Sequence, residues 1–126
     1  MARFILHKSR VLERYNKLKS LGFNVSYSWK TNPLVGKVLE ETDSWFAVHN
    51  FNELGEVKDV NRVWYFCLGL DLAELERLFD LGVRNFVVEL EDDLEKLIGF
   101  FEGRNKEINL MLRMKLFFCH LNKKQL

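Results

Sequence analysis

The chain has 126 residues, 48% apolar and 29% charged, and its 19 Lys and Arg against 18 Asp and Glu give a formal charge of +1. That length suits one domain with a real core but is short for a closed barrel, and interspersed charges without a basic arm give no nucleic-acid surface. The amino-terminal apolar run, Phe4-Ile5-Leu6, is far short of a signal-peptide core and no stretch approaches a membrane span, so no membrane partner is expected. Cys67 and Cys119 stand far apart, as do His7, His49 and His120; reduced thiols, a cytoplasmic location and no metal site follow as expectations.

Along the chain, apolar runs of strand length alternate with amphipathic runs of helix length, a pattern that implies a parallel sheet. A first helix over about 9–20, capped by Ser9 or a neighbour, gathers Val11, Leu12, Tyr15, Leu18 and Leu21 on one face and stops at Gly22. A strand over about 24–29 follows. Pro33 then suits the first turn of a helix over about 33–41, where its missing donor does no harm. Trp45-Phe46-Ala47-Val48 reads as the second strand, followed by a short helix over about 52–57 and a third strand over about 62–66. A helix over about 72–81 ends at Gly82, and Asn85-Phe86-Val87-Val88 forms the fourth strand. The last pair is a helix over about 92–101, closed by Gly103, and a strand over about 108–114.

The aromatics Trp45, Phe46, Trp64, Tyr65, Phe66 and Phe86 read as core, with Phe100 and Phe101 facing the same layer from a helix. The acids Glu89, Glu91, Asp92, Asp93 and Glu95 read as charges favoured at a helix amino terminus, not as a metal site. Five strands with intervening helices amount to just over half of an eight-stranded βα barrel, which takes roughly 250 residues. An open doubly wound sheet accommodates the same order, but no glycine-rich phosphate loop follows strand one.

Lys30-Thr31-Asn32-Pro33 occupies that place instead. A lysine at the carboxyl end of a buried strand has a covered stem and an amine at the mouth of the fold. Partial desolvation favours the neutral amine, which forms a Schiff base with an aldehyde such as pyridoxal phosphate. The plainer reading is a solvated strand end. Arg113 reads equally as a strand-end charge paired with an acid such as Glu89, and His49 as a satisfied histidine at a strand end.

Tyr27-Ser28-Trp29-Lys30-Thr31-Asn32-Pro33 resembles the cofactor-lysine segment of the fold type III pyridoxal-phosphate-dependent decarboxylases acting on ornithine, arginine, lysine and diaminopimelate, archaeal-type members above all. Phe46-Ala47-Val48-His49-Asn50-Phe51-Asn52-Glu53-Leu54 is similar to the family's second strand and the helix start behind it, and Leu81-Gly82-Val83-Arg84 to the approach to strand four. Glu91-Asp92-Asp93-Leu94-Glu95-Lys96-Leu97 and Leu112-Arg113-Met114 resemble the acidic helix and the strand-five arginine. The resemblance implies that residues 1–115 are the first part of an alanine racemase-like, TIM-type βα barrel. It also implies that Lys30 holds pyridoxal 5'-phosphate and that Arg113 points into the barrel mouth near the cofactor. The cofactor would stabilise the carbanion left when a basic or diamino acid loses carbon dioxide. Ala47 replaces a common aspartate of the family, a change that bears on the pKa of the lysine, and His49 would take up that space as a further cofactor-binding residue.

The tail, residues 116–126, departs from the family pattern, and the later strands and the β domain that would complete the site are not in this sequence. A truncated or frameshifted product is therefore expected, with self-association through exposed sheet edges. Two rival readings stay open: a non-catalytic cofactor-binding or regulatory module, and an inert fragment.

Overall fold

The computed structural model of the chain describes residues 3–114. Helix α1 (Lys8–Ser20) leads into β1 (Ser26–Ser28), a 3-10 turn (Trp29–Thr31) and α2 (Pro33–Leu39). Then come β2 (Trp45–Val48), α3 (Phe51–Glu56), a second 3-10 turn (Val60–Arg62), β3 (Val63–Phe66), α4 (Leu72–Asp80), β4 (Asn85–Val88), α5 (Glu91–Glu102) and β5 (Asn109–Leu112). The five strands form one parallel sheet in the order β1-β2-β3-β4-β5. Each strand lies beside its successor, so the order has no reversal point and the doubly wound alternative is set aside. Right-handed crossovers in a one-way order carry the intervening helices to one face. The sheet is open, with β1 and β5 as edges.

Alternation along each strand then sorts the side chains. Tyr27, Phe46, Val63, Tyr65, Phe86 and Leu110 share the helix-bearing face by register, and Phe46, Val63, Tyr65 and Phe86 are buried there. Leu39, Leu54, Leu75, Leu78, Leu97, Phe100 and Phe101 meet them from the helices in a single core. Trp45, Trp64 and Phe66 take the opposite parity. They lie half-buried on the bare face, with Trp45 and Trp64 at 6.1 Å between ring centroids. The aromatic set expected in one core is thus divided between two faces.

Side-chain caps start most of the helices. Asn32 Oδ1 accepts from Leu34 N, Asn50 Oδ1 from Glu53 N and Asp71 Oδ1 from Glu74 N, at 3.1, 2.9 and 2.7 Å. α1 differs from expectation: His7 stands at its cap without a side-chain bond, and Ser9 lies inside the helix. Gly22 and Gly82 leave α1 and α4 with φ of +84° and +86°, a region that suits glycine. Gly103 ends α5 with an ordinary φ of −80°, and Asn105 takes the positive angle.

β1 stops at Ser28, earlier than expected, because Trp29 turns inward. Its ring is fully buried, meets Phe46 edge-on at 5.3 Å, and donates from Nε1 to Glu56 at 3.1 Å. Gly36 of α2 makes room for it: a Cβ there would lie 2.7 Å from Trp29 Cε3 and Cζ3. An indole held from several sides cannot retreat. Gly36→Ala is therefore expected to destabilise the fold by about 1–3 kcal/mol, read as a lowered urea midpoint.

A second clasp holds α1 to the loop before β2. Tyr15 donates to Asp43, and Lys19 Nζ lies 2.8 Å from the same carboxylate. Lys19 first, and the Tyr15 hydroxyl second, hold the Asp43 carboxyl below its ordinary range. A depressed carboxylate adds stability above its unfolded pKa, and that share is lost as pH falls through the lower folded value. Below about pH 4 the clasp is expected to weaken, so that stability falls less steeply with acid in Asp43→Asn than in the parent, measured by urea denaturation at several pH values.

The tail at 116–126, with Cys119 and His120, and residue 115 itself lie outside the described residues. No helix among the described residues is long and apolar enough to cross a membrane.

Candidate functional site at the carboxyl ends of the strands

Parallel strands present all their carboxyl ends along one rim, and the residues just beyond them share it. Lys30 follows β1, His49 follows β2, Cys67 and Leu68 follow β3, Glu89 follows β4 and Arg113 follows β5. These six and Phe66 line one cleft of about 170 Å³. The three residues singled out in the sequence therefore come together, from chain segments far apart.

Lys30 departs from expectation. It sits in the 3-10 turn that Trp29 anchors and is exposed, so its stem is not covered as a strand-end position had implied. Its backbone is nonetheless fixed on both sides. Trp29 is buried before it, and behind it Asn32 caps α2 while the Asn32 carbonyl accepts from the Tyr27 hydroxyl at 3.3 Å.

His49 is held more closely. Its ring stacks on Phe66 at 4.7 Å between centroids and 24° between planes. Glu53 Oε2 accepts from the His49 backbone N–H at 2.8 Å and lies 3.5 Å from Nδ1. That separation is within ionic range, yet Nδ1 makes no hydrogen bond among the described residues and is shut off from solvent. Asn50 in turn donates to Glu53 Oε1 at 2.8 Å and accepts from its backbone N–H, a reciprocal cap that sets the carboxylate in place.

Arg113 has the partner that its plainer reading named. Its Nη1 lies 3.6 Å from Glu89 Oε2, and its backbone N–H continues the ladder to Val88 O at 2.8 Å. The guanidinium stays largely exposed, so the pair is a weak tether, not a lock. Cys67 closes the floor. Burial first, then the charges of Asp93 and Glu74, push its thiol up to about 12, which leaves it protonated and a poor nucleophile near neutral pH.

Asp93 was expected only as a helix-terminal charge. It does begin α5, but its side chain is 1% exposed, and its two oxygens accept from Gly69 N at 3.0 Å and Leu70 N at 2.7 Å. The loop carrying Leu68 into the cleft hangs on that carboxylate. A signal was present in the sequence: Asp93 falls four positions before Leu97, on the apolar stripe of the helix.

No family model matches the chain, and neither curated proteins nor solved structures give a match. The chemistry rests on the residues themselves: an accessible amine, an imidazole of fixed orientation, a carboxylate and a guanidinium around one opening. Asp93→Ala strips the acceptor from two backbone donors at about 1–3 kcal/mol each, so a loss of roughly 3 kcal/mol is expected in chemical denaturation. Asp93→Asn keeps one acceptor oxygen and should lose less.

Proposed function

We propose that this chain is the cofactor-lysine-bearing first part of a pyridoxal-phosphate-dependent amino-acid decarboxylase, wound as the start of a TIM-type βα barrel. One observation carries the reading: Lys30, named from its strand end, and His49 and Arg113, implied by the resemblance, line one cleft at the carboxyl ends of a parallel sheet in one-way order. The donor set fits the cofactor. Lys30 supplies an accessible amine for its aldehyde, Arg113 a guanidinium for an anionic group, and the His49–Phe66 stack a flat surface for its ring. When bound, pyridoxal phosphate supplies an electron sink for the pair released with carbon dioxide.

The chain's own residues do the rest. Trp29 and the Asn32 cap fix where the Lys30 amine emerges, and Glu53 and Phe66 fix the His49 ring so that one nitrogen edge faces a constant direction. Glu89 keeps Arg113 near the rim until a stronger anion draws it away. A basic or diamino acid is the substrate class that the resemblance supports.

The exposure of Lys30 favours a second reading, in which the chain holds the aldehyde without completing decarboxylation. Titration with pyridoxal phosphate, borohydride reduction and peptide mapping test the shared core of both. Selective labelling at Lys30, abolished in Lys30→Ala with unchanged circular dichroism, is expected. Diffuse labelling of surface lysines, or none, overturns the proposal, and carbon dioxide release from protein loaded with pyridoxal phosphate but not reduced separates the two readings.

A further inference from the structure

The two edges of the sheet are unlike, and each lacks what the other has. On β5, the backbone N–H groups of Asn109 and Arg113 donate to Arg84 O and Val88 O, both at 2.8 Å. The N–H groups of Leu110 and Leu112 therefore point to the open edge. Leu110, Met111 and Leu112 are 39%, 50% and 55% exposed. Leu110 and Leu112 lie on the helix-bearing face, where α5, the last helix among the described residues, leaves them partly exposed.

At the other edge a helix has too little to cover. α1 packs beside α2 and so overhangs the free side of β1, with Leu18 45% exposed and Leu21 just beyond it 63% exposed. Between α1, α2 and β1 runs an open apolar groove of about 370 Å³, with Val11, Tyr15, Leu18, Val25 and Tyr27 in its walls.

We propose that a second copy of this chain closes the sheet, β5 of each copy pairing in parallel with β1 of the other about a two-fold axis that runs along the strands. Parallel pairing sets Leu110 and Leu112 laterally against Val25 and Tyr27 of the second copy, filling the groove beneath its α1. The two-fold axis repeats the seam, so both open edges disappear together. Lys30 and Arg113, from the first and last strands, already line one cleft, which means that the sheet is curled toward such closure. Trp45, Trp64 and Phe66 on the bare face suit the wide interior of a ring of ten strands. Lys30 of the second copy then stands beside the Arg113–Glu89 pair and completes the rim. This inference does not depend on the cofactor.

Sedimentation velocity on the purified chain over a range of concentrations is the first test, and a doubling of mass is expected. In a Cys119→Ser background, Ser28→Cys with Met111→Cys should give an intermolecular product with a short bis-maleimide, and neither cysteine alone should. Leu110→Lys with Leu112→Lys should return the chain to monomer with its circular dichroism unchanged. A monomer at every concentration overturns the proposal and leaves residues 115–126 or a different protein as the cover. Cross-linking by Met111→Cys alone, or only within one chain, overturns it as well, because β5 then meets something other than a second β1.

Discussion

A parallel strand cannot be reached from its neighbour by a tight turn. The chain must travel the length of the sheet again, and here it does so as a helix each time. Because the strand order never reverses, the helices gather on one side and the sheet is left with a covered face and a bare one. That constraint decides which of two adjacent aromatics is core. Phe46 and Tyr65 are sealed beneath the helices, while Trp45, Trp64 and Phe66, one residue out of phase, are only half-buried. It also decides where chemistry can sit, since the rim collects the first residue or two beyond every strand.

Rigidity at that rim comes from groups that never touch the cleft. Trp29 and Gly36 are a matched pair, a full indole against a residue with no side chain, and their contact stops β1 and lifts Lys30 out of the sheet. Glu53 acts on the His49 backbone as well as beside its ring, so the imidazole is positioned through its main chain. Asp93 is the costliest member, a carboxylate taken out of water and compensated by two backbone donors. Trp29 with Gly36 and Glu53 with His49 act inside one βα unit, whereas Asp93 reaches from α5 to the loop after β3.

Most of the architecture was legible because it is written in local alternation. The five strands and their helices follow from apolar period and glycine stops, and Gly22 and Gly82 do end helices with positive φ. Gly103 also closes α5, as expected, but with an ordinary φ of −80°, and a glycine after a helix has the same sequence appearance whether or not its φ is positive. The 3-10 turn was hidden because a strand ending at Trp29 and a tryptophan folding under α2 are identical in periodicity; only the absent side chain at Gly36 distinguishes them. Cleft membership was partly legible. Lys30, His49 and Arg113 were named, but Cys67 and Leu68 were passed over, although they follow β3 as the others follow their strands.

The one-way strand order also bears on how the chain reaches its fold. Ser26 pairs with Trp45, Phe46 with Val63, Tyr65 with Phe86 and Asn85 with Asn109, so every ladder joins segments that are successive in the chain. Contacts of such short span close small loops at low entropic cost, and each new unit docks on a surface its predecessor has just made. Assembly can thus proceed outward from a central pair such as β2 and β3 in either direction, as a growing edge, without any strand having to be inserted between two already in place.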